Sequence, residues 1–72
     1  MTTNRIALLV AAKMVILSCK DKYAKSYARE LYRMLEKGDD EAAIRGQIQY
    51  VQCNIQHWKG KLAQTAKILL KS

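Results

Sequence analysis

Seventy-two residues with 13 Lys+Arg against 6 Asp+Glu, a formal charge of +7, no proline, no phenylalanine, two cysteines and one histidine describe a basic chain of one domain at most. A chain this short buries a small share of its surface and usually draws on disulfides, a metal or a partner subunit for stability. Two cysteines without metal-ligand spacing and a lone histidine disfavour the first two and leave oligomerisation as the expected supplement, in a reducing compartment such as the cytoplasm.

Strong helix formers dominate, only three glycines occur, and no stretch alternates like a strand, so the expected fold class is all-α. Thr2, Thr3 or Asn4 is placed to cap a first helix from Ile6 to Leu17 in which only Lys13 is polar. Arg5 ahead of the apolar run Ile6 to Ala12, with Ile16-Leu17-Ser18-Cys19 after it, raises the question of a targeting segment. Lys13 interrupts that run, which falls short of the about 20 apolar residues a membrane span needs. The segment therefore reads as a buried helix without transmembrane character, association with a membrane surface being the lesser alternative. Being apolar nearly all round, it has to be covered on more than one side.

From Lys20 the pattern narrows. Tyr23, Ala24, Tyr27, Ala28, Leu31, Met34 and Leu35 make an apolar face, and Lys22, Lys25, Arg29 and Arg33 make a basic one. Ser18-Cys19-Lys20-Asp21 has the spacing of a capping box, which would start a new helix here. The heptad series Ala7, Val10, Met14, Leu17, Asp21, Ala24, Ala28, Leu31, Leu35 instead runs straight through, with Asp21 as its single misfit, and favours one continuous helix.

Lys37-Gly38-Asp39-Asp40-Glu41 is the clearest punctuation: glycine supplies a left-handed helix end, and an aspartate then caps the next helix. Beyond it, Ile44, Ile48, Val51, Ile55, Trp58, Leu62, Thr65 and Leu69 repeat at four-three spacing as the front of a long amphipathic helix. Behind them runs a stripe of small or uncharged residues: Ala42, Gly46, Gln49, Cys53, Gln56, Gly60 and Ala63. A turn centred between Asp39 and Asp40 pairs residues whose numbers sum to 79, and both stripes obey this: Leu35 with Ile44, Leu31 with Ile48, Ala28 with Val51, Ala24 with Ile55, Leu17 with Leu62, Val10 with Leu69. Asp21 falls opposite Trp58, where its carboxylate suits the indole N–H.

These stripes predict an antiparallel helical hairpin with its turn at 37–41, paired into a homodimeric four-helix bundle, each long helix spanning about 45 Å. Leu8, Leu9, Ala12, Val15, Ile16 and Cys19 on the first helix, with Gly46, Gln49, Cys53, Gln56 and Gly60 on the last, are the surfaces left over for the second subunit. Gly46 and Gly60 each cost about 1 kcal/mol against alanine inside a helix. Close packing about Cys53 explains them somewhat better than a helix end at Gly60 followed by a short last helix. The competing fold is a monomeric three-helix bundle broken near 18–21.

Chemistry finds little footing. His57 is a lone histidine of the kind usually just solvated on a helix, the acids at 36–41 are explained by capping, and Cys53, four residues before His57, gives with it only two metal ligands. No enzyme, cofactor or metal is expected. The signal lies in charge. One lysine against four acids gives Glu36 to Glu41 a net −3, so the rest of the chain carries +10. Lys22, Lys25, Arg29 and Arg33 form a ridge about 16 Å long by helix rise, a spacing suited to a phosphate backbone. Lys13, Lys20, Lys59, Lys61, Lys67 and Lys71 add charge away from the acidic turn, and Tyr23, Tyr27 and Tyr32 offer rings for base stacking. The leading expectation is a small regulatory protein binding DNA or RNA through Lys22, Lys25, Arg29, Arg33, Lys59 and Lys61. The alternative is an adaptor or inhibitor docking on an acidic protein surface, since steering by charge serves both; a purely structural oligomer is the third option.

Overall fold

Asn4 begins the first helix in the computed structural model, which describes residues 4–71; the alternative caps Thr2 and Thr3 lie outside the described residues. Its side chain accepts from the Ala7 amide at 3.1 Å, satisfying one of the free donors of α1 (Arg5–Ser18). The chain then turns extended at Cys19 and restarts as α2 (Lys22–Lys37). The continuous first helix is thus overturned in favour of the break near 18–21. Asp21, the misfit of the heptad series, is the reason. Its carboxylate accepts from the Tyr23 and Ala24 amides at 2.8 and 3.3 Å, so it caps α2 rather than sitting in a seam or binding the indole of Trp58. Such a cap contributes about 1 kcal/mol, whereas a carboxylate buried in a seam would need a partner.

Gly38 ends α2 in the left-handed conformation, φ 80°, with its amide and that of Asp39 both donating to the Met34 carbonyl. Asp40 occupies the cap position of α3 (Glu41–Asn54). The residues expected in the near half of the seam belong to the core: Leu35, Ile44, Leu31, Ala28, Val51, Ala24 and Ile55 are buried and Ile48 is half-buried against them. Gln47 donates to the Tyr27 carbonyl at 2.9 Å, and Tyr27 stacks on Tyr50 with ring centres 5.4 Å apart, tying α2 to α3.

The long second helix does not continue. α3 stops at Asn54, residues 55–60 form a connector, and α4 (Lys61–Leu70) follows. Gly60, at φ 111° and ψ 175°, occupies backbone space that is essentially glycine-only, so its role is to turn the chain rather than to admit a neighbouring helix. Lys67 holds the connector by donating to the carbonyls of Gln56 and Trp58 at 3.1 and 2.8 Å.

With both long helices broken, α1 packs between α2 and α4, α2 also packs on α3, and α3 meets α4 only at its margin. The molecule measures 30 × 20 × 17 Å, well short of the extended hairpin. Four helices come from one chain, so the two-helix hairpin and the bundle built from two such hairpins are corrected. Alanines make the close packing of α1 possible: Ala7, Ala11 and Ala12 are buried on α1, Ala24 and Ala28 on α2, Ala63 and Ala66 on α4. Arg5 also reaches across to donate to the Leu35 carbonyl of α2.

Refolding α1 in this way reverses its faces. Leu8, Ala12, Val15 and Cys19, expected to face a second subunit, are buried by the chain's own helices, while Val10 and Leu17, expected inside, lie at the surface. Leu62 is likewise exposed, and Ala63, Ala66 and Leu70 replace the front stripe of α4 in the core. The far pairs Leu17 with Leu62 and Val10 with Leu69 therefore do not form the seam. Among the described residues no helix is long and apolar enough to cross a membrane.

Candidate nucleic-acid interface

The register of α2 is set by its buried stripe of Ala24, Ala28, Leu31, Met34 and Leu35, and this places the opposite side in solvent. Lys22, Arg29 and Arg33 are exposed there and Lys25 is half-exposed beside them. At 3.6 residues per turn the first three fall within about 40° of arc, so the ridge is a narrow line along the helix.

Its two ends differ. Arg33 is engaged by Glu30, with Nη2 at 2.8 Å from the carboxylate and Nε at 3.2 Å. That hydrogen bond, then the charge of Glu30 and more weakly that of Asp39, raises the Arg33 pKa above its ordinary value. The guanidinium is charged at any physiological pH regardless, but its field is largely cancelled locally by Glu30. Lys22, Lys25 and Arg29 form no ion pair among the described residues, although Asp21 precedes Lys22 and Glu30 follows Arg29 in the chain. Lys22 extends past Tyr23, its ammonium 5.8 Å from the ring centre.

At the start of α2 the ridge meets a corner that the linear pattern did not reveal. Ser18, Cys19, Lys20 and Asp21 from the α1–α2 break and His57, Trp58 and Lys59 from the α3–α4 connector line one open hollow of about 350 Å³. His57 Nε2 lies 3.5 Å from an Asp21 carboxylate oxygen and joins the two segments. Lys20 and Lys59, far apart in sequence, thus share one corner. Lys61 opens α4, whose first turn has neither a side-chain cap nor an acid, so the positive end of the helix dipole adds to Lys61 and to Lys59 just ahead of it.

Other cations serve elsewhere. Lys67 is committed to the connector carbonyls, and with Lys71, Gln52 and Gln56 it lines a separate open hollow of about 380 Å³. Lys13 extends over the ring of Tyr32 at 4.9 Å. The aromatic expectation is narrowed accordingly: Tyr27 is stacked on Tyr50 and Tyr32 carries Lys13, both half-buried, leaving Tyr23 as the exposed ring of that trio. Tyr50, absent from the sequence-based set, is exposed on α3, and its polar neighbours Gln49 and Asn54 gave no signal of a stacked ring. The back stripe of α3 stays at the surface, with Gln49 and Cys53 exposed and Gly46 half-buried, and Gln56 and Gly60 are exposed beyond it in the connector.

Neither a family model, nor a curated protein, nor a solved structure matches this chain. The functional reading accordingly rests on geometry and charge.

Proposed function

We propose that the protein is a small, non-enzymatic regulatory binder of nucleic acid that works chiefly through phosphate contacts. The observation that carries this reading is the continuity of Lys22, Lys25 and Arg29 along the outer side of α2 with Lys20 and Lys59 at the corner beside it, Lys61 following at the start of α4. Five lysines and an arginine bordered by few acids suit an array of phosphates, which are fixed in position by cations without being read for sequence. Tyr23 at the edge of the ridge offers a ring to an unpaired base, and His57 and Trp58 line the hollow at the corner. Helix N-termini and lysines at one place reinforce each other toward anions.

Fluorescence anisotropy with labelled single-stranded and duplex DNA and RNA, titrated over a range of salt, tests this. Affinity is expected to fall steeply with salt, and for duplex DNA with about four phosphate contacts the slope of log K against log salt is about −3.6. Replacing Lys22, Lys25 and Arg29 by glutamine together flattens that slope by about 3. The Arg33→Gln change has a smaller effect because Glu30 already occupies the guanidinium. Binding that is unaltered by the triple substitution in a folded protein excludes the ridge.

A self-association through α3 belongs to the same reading. Gln49 and Cys53 on α3 present an uncharged exposed strip that Gln56 extends into the connector, and a Cβ added at Gly46 would meet nothing within 4 Å outside its own helix backbone. A second α3 laid antiparallel across Cys53 fits such a strip. Mild oxidation then yields a Cys53-linked dimer, and sedimentation of the reduced protein as a strict monomer argues against it.

A further inference from the structure

A second surface lies on α1, away from the basic ridge. Ile6 and Leu17 are 73% and 71% exposed and Val10 46%, although each is a large aliphatic residue on a helix whose other side forms the core. With Lys13 they follow one another at intervals of four, three and four. At 3.6 residues per turn the four fall within about 60° of arc and run about 16 Å along the helix. Leu8, Ala12 and Val15 point the opposite way and are fully buried, and Leu9, Met14 and Ile16 between the two sets are half-buried against the core, so this line is the part of α1 left uncovered by α2 and α4.

The shape of this line narrows what can cover it. A helix lying in a membrane surface or against a broad core presents an apolar face of about 100° or more, whereas a strict a/d line is the seam of two paired helices. Lys13 occupies one seam position. A single lysine in such a seam selects register and partner, because it requires a carboxylate opposite it. Lys13 is exposed and its ammonium rests over the Tyr32 ring of α2, a contact to which a partner carboxylate can be added. Arg5, Lys13 and Lys20 are the charged residues from Arg5 to Lys20, and that span contains no acid. A second α1 laid on this line would bring the same cations to the seam and no carboxylate for Lys13.

We infer that the outer line of α1 is a docking seam for an acidic amphipathic helix of a partner protein, with Ile6, Val10 and Leu17 as its apolar contacts and Lys13 setting register against a partner carboxylate. This seam is distinct from the α2 ridge and stands or falls independently of nucleic-acid binding.

The probe is a labelled three-heptad peptide with leucine at a and d, glutamate at e and g, and one central seam leucine replaced by glutamate; its control carries lysine at those glutamate positions. Titrated into the full chain at physiological salt, the acidic peptide binds and the lysine peptide binds about tenfold or more weakly. Combined Ile6→Ser and Leu17→Ser replacement weakens the acidic peptide about a hundredfold while the thermal melt is unchanged, both side chains being largely outside the core. Lys13→Glu inverts the preference between the peptides. The inference is overturned by absence of binding up to about 1 mM, the weak end of the affinity scale. It is equally overturned by binding indifferent to these substitutions. Self-association of the chain that the double substitution abolishes, or tighter capture by phosphatidylserine vesicles through the same residues, assigns the line to a different occupant and also overturns it.

Discussion

The two ends of this molecule are built on different kinds of information. At the Gly38 end, the residues of α2 and α3 that the sequence assigns to their seam are buried in one core, down to Ala24 and to Ile55 just past the end of α3. At the other end, where Cys19 to Asp21 faces the connector of residues 55–60, both long stripes break and their surfaces invert. The first end is governed by local rules, a left-handed glycine and one amphipathic face on each helix. The second depends on which of two apolar sides of α1 faces inward, and a helix apolar all round carries no periodic answer to that.

The largest expected effect tests this inversion directly. Leu8→Ala removes a fully buried side chain and is expected to cost about 2–5 kcal/mol in urea denaturation, while Leu17→Ala, at an exposed position, stays within about 0.5 kcal/mol. An extended hairpin would reverse the order of the two. Equal losses would mean that the two faces of α1 are buried alike.

All-helical class, the turn at Gly38 and the near half of the core were legible because each rests on one strong signal within a few residues. The break was written in the sequence as the misfit of Asp21 in the heptads; the capping-box spacing marked the same stretch but assigned the cap to Ser18, which ends α1, whereas Asp21 caps α2. An unbroken run of threes and fours outweighed it. That run had little discriminating power, since in α1 almost any choice of positions three and four apart is apolar; Leu8, Ala12, Val15 and Cys19 obey the same spacing as Ile6, Val10, Lys13 and Leu17. Of the candidate interface, the α2 ridge was visible as a single-helix pattern. The corner shared by Lys20 and Lys59 was not, because it exists only once two distant chain breaks are brought together.

A smaller effect is expected at the connector. Gly60→Ala forces a Cβ into a backbone region that disfavours it even though nothing crowds the position. The penalty is about 1–3 kcal/mol, read as a lowered melting temperature. It also discriminates between folds: within an unbroken helix the same substitution would stabilise by about 1 kcal/mol. A rise in melting temperature would therefore restore the long second helix and undo the contrast between the two ends.

Gly46→Ala carries the smallest effect and the most specific information. Gly46 lies inside α3 with ordinary helical backbone and no atom within 4 Å of the position a Cβ would take, so nothing within the chain explains the glycine. In a molecule whose α3 strip faces only water, alanine stabilises by about 0.5–1 kcal/mol through the smaller entropy lost on folding. In one that pairs through this strip, the added methyl intrudes where two backbones approach, and dimerisation weakens while the intrinsic stability of each copy still rises. Melting temperature measured across protein concentration separates the cases. A rise independent of concentration leaves α3 as solvent-facing surface; a rise at low concentration that shrinks or reverses at high concentration gives the glycine its reason in a second subunit.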